Sequence, residues 1–402
     1  MSDSLFEKPS RFDGLPPYPF PRLRGLLNGI EPGQPPIDMT IGEPKHPFPK
    51  FVADILDEKR AGYGKYPPAA GLPALGDAIA GWLSRRFDLP EGTIDPARHL
   101  VHLNGTREGL FQAPMAVLPE PMAGEPPLVL IPNPFYQPYA GAAIAAGATP
   151  YFVPATENTG FLPDIAALPD AVLARAQFAF VCNPANPQGA VAPAEKLREW
   201  VALARKHDFI IAFDECYSEV YTDVPPPGGL TAALAHDGSL DNVLVFHSLS
   251  KRSNLPGLRS GFVAGDARAI ARFKTMRAYG GAPNPLPVWE AAAAAWADEQ
   301  HVVDSRALYA EKFEIADRLL AGKYNYARPA GGFCLWLNVG EGEAAARKLW
   351  AEAGLRVLPG AYLAATAADG SNPGAEYVRL ALVHDSATVE AGLARLVATL
   401  GA

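Results

Sequence analysis

Four short, almost continuous apolar runs dominate the middle of this 402-residue chain. They are Leu128-Val129-Leu130-Ile131, Gln177-Phe178-Ala179-Phe180-Val181-Cys182, Phe209-Ile210-Ile211-Ala212-Phe213 and Val243-Leu244-Val245-Phe246. Each is bounded by Pro, Gly, Asn or Asp, and segments with helical periodicity, such as 71–87 and 193–207, stand among them. A strand with one wet face alternates apolar and polar residues, whereas a run apolar throughout is covered on both faces. Covered strands alternating with helices predict a mostly parallel sheet, and so an α/β domain from about residue 70 to 265.

The chain is longer than the roughly 250–300 residues at which a single core stops growing, so a second unit is expected. Past Val288 the pattern changes accordingly. A long helical stretch over 288–320 leads into the strand-like Phe333–Val339 region, a further helix and Tyr377-Val378-Arg379-Leu380-Ala381-Leu382. The division that follows is a loop-rich N-terminal segment (1–46) packing on the C-terminal unit, a large α/β domain (47–287) and a small α+β domain (288–402).

A formal charge of −8 argues against a nucleic-acid surface, which would need a basic stripe. It leaves a local cationic pocket for a small anion open. Neither a secretory signal nor an apolar stretch of some 18 residues is present, so no membrane span and a cytoplasmic location are expected. Cys182, Cys216 and Cys334 are far apart and form no CxxC pair; they read as reduced, buried small hydrophobes. His46, His207 and His247 have no metal-like spacing and are expected to be structural or solvent-facing, with no metal bound.

Ligands of open parallel sheets bind outside the carboxyl ends of the strands. There the second run is followed by NPANPQG with Asn183 and Asn186, and the third by Asp214-Glu215-Cys216-Tyr217. The fourth is followed by FHSLSKRSNLPGLRSG, with Ser248, Ser250, Lys251 and Arg259. Singly, the aspartate could be a turn cap and SLSK a surface loop. Together they match pyridoxal 5'-phosphate, whose aldehyde needs a lysine and whose ring nitrogen needs a carboxylate to stay protonated. Asn186 and Tyr217 can donate to the ring's phenolic oxygen, and Arg259 with the two serines can hold a phosphate. Asn104-Gly105-Thr106-Arg107 opens a helical pattern, a place where free N–H groups meet phosphate.

The ordered set GTR, NPANPQG, DECY and SLSKRSNLPGLRSG resembles the class I/II aminotransferases of fold type I. Ala330-Gly331-Gly332-Phe333, Leu358-Pro359-Gly360 and Tyr377-Val378-Arg379-Leu380 extend the resemblance over nearly the whole chain. It implies a large domain on a mostly parallel seven-stranded sheet and a smaller α+β domain. It implies Lys251 as the lysine that joins the cofactor and moves the proton, and Asp214 as the partner of the ring nitrogen. Tyr217 and Asn186 would contact the phenolic oxygen. Gly105, Thr106, Arg107, Ser248, Ser250 and Arg259 would surround the phosphate, and Tyr136 would stack on the ring, with an aromatic core position as its alternative. Arg379 would clamp the substrate carboxylate, with Asn186 and the Gly42 backbone also against the substrate. Tyr66 would reach the partner's phosphate, which makes a homodimer with shared sites.

NPQG stands where the family has NPTG, which leaves Asn186 in place. The loop after Lys251, with PYPFPRLRGLL, IGEPKHPFP and KYPPAAGLPALGDAIAGWL, resembles the bacterial N-succinyldiaminopimelate aminotransferases of lysine biosynthesis. Those enzymes exchange an amino group between glutamate and N-succinyl-2-amino-6-oxopimelate. Arg22, Arg24, Lys45 and Arg252 are available for the additional carboxylates, although each reads first as ordinary surface charge. Other readings on the same scaffold are an acetylornithine, aspartate or aromatic aminotransferase, or a C–S β-lyase. A non-catalytic DNA-binding regulator would need a basic helix-turn-helix, which the first 45 residues lack.

Overall fold

The four apolar runs lie side by side in the middle of one sheet. In the computed structural model, which describes residues 7–15, 17–68, 71–119 and 124–401, the strands follow one another as β1 (Ile37–Asp38), β2 (Leu100–Leu103), β3 (Leu128–Asn133), β4 (Thr149–Pro154), β5 (Ala176–Cys182), β6 (Ile210–Asp214), β7 (Val243–Ser248), β8 (Gly261–Gly265), β9 (Cys334–Asn338), β10 (Leu355–Arg356), β11 (Leu358–Pro359) and β12 (Tyr377–Ala381). Among the described residues the large sheet has seven strands in the order β2-β8-β7-β6-β5-β3-β4. The pairings from β4 to β7 are all parallel, and β8 runs against both β7 and β2. The chain passes from β3 to β4 on one side and then to β5 on the other, which opens a crevice beyond the carboxyl ends of β3 and β5.

Successive strand residues point to opposite faces, and both faces are dry. Phe178, Phe180, Ala212, Leu244 and Phe246 pack with Leu110 of the helix Thr106–Val117 and Phe273 of the helix Ala267–Gly280. Ala179, Val181, Ile211, Phe213, Val243 and Val245 pack on the other side with Trp82, Trp200 and Trp296, one from each of three helices. Such double burial is what made these runs apolar throughout. The two flanking strands carried no such signal. β4 is a part-exposed edge strand with two prolines, which an edge tolerates. β8 ends in glycines because its neighbours approach closely: a Cβ on Gly261 would stand 2.6 Å from the His247 carbonyl oxygen.

Beyond residue 285 the expected single helix is two, Leu286–Ala297 and Gln300–Leu320. Its apolar residues serve different cores: Trp289 and Trp296 the large-sheet core, Tyr309 and Phe313 a second core. The second core lies on a three-stranded antiparallel sheet, β11-β12-β9, with Arg379 in its middle strand opposite Leu358 and Trp336. The N-terminal segment joins it: β1 pairs with β10, and Leu23 and Leu27 of the helix Pro19–Leu27 pack with Trp336, Trp350 and Tyr362. No described helix is long and apolar enough to cross a membrane.

Candidate active site

A cavity of about 600 Å³ opens at the carboxyl edge of the large sheet and is closed on its far side by Arg379 and Leu358 of the small one. β6 delivers Asp214 at its last residue, and β7 delivers Ser248. The Ser248 hydroxyl accepts from the Ser250 N–H at 3.1 Å and so caps the short helix Leu249–Arg252, which carries Lys251. Thr106, Arg107, Tyr136, Asn186, Asp214, Tyr217, Ser248, Ser250, Lys251, Arg259, Arg379 and Gly42 all line this one space. Two expected site residues do not. Gly105 stands behind Arg259, and Tyr66 is fully exposed on the surface of the chain.

Each charge in the cavity has its environment set by a few contacts. Nζ of Lys251 donates to the Gly42 carbonyl, and burial lowers its pKa to about 8. Asp214 is buried, and that burial pushes its carboxyl upward. It is opposed by the Tyr139 hydroxyl, donating to Oδ2 at 2.7 Å, and by the Cys216 N–H, donating to Oδ1 at 3.3 Å. Tyr136 is pushed up to about 12, chiefly by burial, and accepts from Nε of Arg107 at 2.7 Å. Arg379 is 7% exposed and donates from Nη2 to the Thr40 carbonyl at 2.5 Å, while its Nε has no partner. The Asn186 Oδ1 is likewise buried and unpaired. Both residues line the cavity, where a bound ligand would supply the partners that buried polar atoms require.

Gly105 has φ +81° and begins the helix Thr106–Val117. A Cβ there would stand 2.8 Å from Cζ of Arg259, so only glycine lets the guanidinium lie against this helix start. Arg259 donates to the carbonyls of Asn104 at 3.0 Å and Pro256 at 2.7 Å. A second cavity, about 710 Å³, adjoins the first and shares Tyr18, Arg107, Phe135, Gln137 and Arg259 with it.

Sequence reasoning missed several neighbours. Tyr139 lies in the apolar helix Pro138–Ala145, stacked at 4.4 Å on Phe180, with nothing local to mark it as the donor to Asp214. Cys334 is buried as expected, but Cys182 and Cys216 line the cavity, and the Cys216 sulfur lies 3.0 Å from the Thr106 hydroxyl. Burial raises both thiols well above the ordinary range, so neither is a nucleophile at neutral pH. Glu43 also lines the mouth.

The cations considered for extra carboxylates fall elsewhere. Arg252 is 3% exposed and points away from the cavity, donating to the carbonyls of Ala295 at 2.7 Å and Asp298 at 3.0 Å and to Glu299 at 2.8 Å. It is neither a substrate contact nor a surface charge, because the helix break at 298–299 needs its donors. Arg22 lies 3.8 Å over the Tyr362 ring, and Lys45 contacts His384 at 3.2 Å. Of the histidines, His247 is buried 2.8 Å from Glu215, and His46 contacts the buried Lys312.

Residues 34–396 match the family described as Aminotransferase class I and II. The LL-diaminopimelate aminotransferase of Desulforudis audaxviator is 34% identical over 88% of this chain and 90% of its own. The crystal structure of an aminotransferase from Neisseria meningitidis superposes with a TM-score of 0.91 at 43% identity, covering 97% of this chain and 99% of that one. A probable N-succinyldiaminopimelate aminotransferase from Thermus thermophilus gives a TM-score of 0.80 at 27% identity, over 94% and 96%. The chain belongs to the class I and II aminotransferases, a family of pyridoxal-phosphate-dependent enzymes of fold type I.

Proposed function

We propose that this aminotransferase moves an amino group between N-succinyl-LL-diaminopimelate and 2-oxoglutarate, with Lys251, Asp214 and Arg379 as its working residues. The observation that carries amino transfer is their arrangement: an amine with lowered pKa, a buried carboxylate and a buried guanidinium with an unpaired Nε line one cavity. The succinylated donor rests on the likeness to the Thermus thermophilus enzyme. The residues fit pyridoxal phosphate. Arg259, Ser248, Ser250, Thr106 and Arg107, at a helix start that only glycine allows, would hold its phosphate. Asp214 would face the ring nitrogen, Tyr217 and Asn186 the phenolic oxygen, and Tyr136 the ring. When bound, the cofactor supplies an aldehyde for the amino group and a ring that takes up the electrons left at the α-carbon.

The chain's own residues then divide the remaining work. Arg379 binds the substrate α-carboxylate through its planar fork, and a lysine could not match that geometry. Nζ of Lys251 takes the α-proton; a pKa near 8 leaves a useful neutral fraction at physiological pH. The Tyr139 hydroxyl and the Cys216 N–H donate to Asp214 and oppose the upward push of its burial, favouring the carboxylate form. The distal arm of the substrate runs toward the mouth, where Tyr18, Phe20 and Ile41 offer apolar contact.

A second reading, free LL-diaminopimelate as the amino donor, is favoured by the names of the curated relatives and by the Glu43 carboxylate at the mouth, which would meet a distal ammonium. Comparing kcat/KM for the two diaminopimelates, acetylornithine, aspartate and an aromatic amino acid, with 2-oxoglutarate as acceptor, decides between them. The succinylated donor is expected to lead by at least about tenfold, roughly 1.4 kcal/mol. A lead for the free diamine transfers the assignment to the second reading. A lead for aspartate or an aromatic donor removes both.

The site is completed by a second copy. Tyr66 is 101% exposed in the single chain and is the residue that would reach the partner's phosphate. Tyr66→Ala is expected to lose roughly 10–100-fold in kcat/KM, as for one hydrogen bond to a charged group. Mixing unfolded-and-refolded Tyr66→Ala with Lys251→Ala chains should restore activity, because one site of each mixed dimer is then intact. Mixtures no more active than Tyr66→Ala alone would exclude shared sites.

A further inference from the structure

The backbone of residues 38–47 makes two of the contacts that set the cavity: the Thr40 carbonyl accepts from Arg379, and the Gly42 carbonyl accepts from Lys251. One end of this segment is fixed by the pairing of β1 with β10 and by Asp38, whose Oδ1 accepts from the Thr40 N–H at 2.9 Å. The other end is fixed at His46. Its Nε2 lies 2.5 Å from Nζ of Lys312, a side chain 2% exposed in the helix Gln300–Leu320.

Lysine ammonium has protons to give and no lone pair, so Nε2 accepts and the imidazole proton sits on Nδ1. From there it is donated to the Ser305 hydroxyl at 3.3 Å. Ser305 is bonded at 3.1 Å to the amide of Asn254, which also reaches the Pro47 carbonyl at 3.4 Å. His46 thus links the segment to the helix and to the turn that follows Lys251.

Lys312 does not line the cavity and makes no ion pair among the described residues; the carboxylates acting on it, Asp385 and Glu311, do so only at longer range. Burying a lysine in this way is costly, and burial lowers its pKa to about 8. A leucine would fill the space without that penalty. The cost is explained if the donor to His46 is needed.

We propose that Lys312 is a positioning residue: by holding His46 it fixes residues 40–47 so that the Thr40 and Gly42 carbonyls meet Arg379 and Lys251. The proposal rests on the roles given above to those two residues.

Lys312→Leu, His46→Leu and the double variant test it in the full-length enzyme. Each single variant should raise KM for the amino donor about tenfold with kcat changed less than about threefold, and the double variant should be no worse than either. Deuterium uptake by peptides covering 38–47 should quicken about tenfold in all three, with the rest of the chain and the unfolding midpoint little changed. Unaltered uptake there, or a double variant that loses the product of the single losses, would overturn the proposal. If Lys312→Leu does not fold, His46→Leu carries the same exchange measurement. Should the wild type transaminate none of the tested donors, the functional reading fails, and the exchange experiment alone still decides whether Lys312 anchors this segment.

Discussion

Lys251→Arg will fold normally and lose amino transfer by at least about 10⁴-fold, the upper range for removing a positioned acid–base group. Arginine keeps the charge and much of the length of lysine, but at no accessible pH does it give up a proton. The native amine is different because of where the chain puts it. The Ser248 cap fixes the short helix, the Gly42 carbonyl accepts from Nζ, and burial disfavours the ammonium form. A lysine pKa lowered to about 8 means that the neutral amine grows as pH rises through 8, rather than through its ordinary 10.5. In cofactor-free protein, acylation of Lys251 by an amine-directed reagent should therefore show a midpoint near pH 8. In loaded protein, borohydride reduction and peptide mapping should mark Lys251 and no other residue. A label on another lysine, or a midpoint above pH 10, would remove Lys251 from its proposed role.

How far the chain could be read in advance follows from what each residue's neighbours impose. β3, β5, β6 and β7 are covered on both faces, so burial wrote itself into composition, and the polar residues at their ends stood out against it. β4 and β8 escaped because an edge position and a close backbone approach select prolines and glycines, which read as turns. The break between Ala297 and Gln300 escaped because both halves keep helical periodicity, each toward its own core.

Side-chain destinations were harder. Arg252 looks like any arginine after an active lysine, yet it is buried and bonded to carbonyls 43 and 46 residues away. Tyr139 looks like a core aromatic, and its ring is one; only the hydroxyl, reaching 75 residues along the chain, belongs to the site. Lys312 sits in a charged helix and gave no sign of burial. Long-range pairings of this kind depend on the sheet order, which local patterns do not encode.

Asp214→Asn tests the other end of the site and should lower kcat/KM by about 10³-fold, some 4 kcal/mol. Asparagine has the same shape and can still accept from the Tyr139 hydroxyl, so what it removes is the negative charge. A neutral amide cannot hold a proton on a ring nitrogen, and the electron uptake that lowers the barrier at the α-carbon weakens with it. The variant should be at least as stable as the wild type, since a buried charge has been replaced by an isosteric neutral group. Tyr139→Phe should be milder, roughly 10–100-fold, the worth of one hydrogen bond to a charged group. The sign of its pH effect is fixed by the contacts. Burial raises the Asp214 carboxyl, and the donors Tyr139 and Cys216 pull it down. Removing the tyrosine hydroxyl therefore raises it further, and the acid limb of kcat/KM against pH moves to higher pH. An Asn variant within tenfold of wild type, or a Tyr139→Phe limb that stays put or moves down, would mean that the Asp214 charge is not what the site requires.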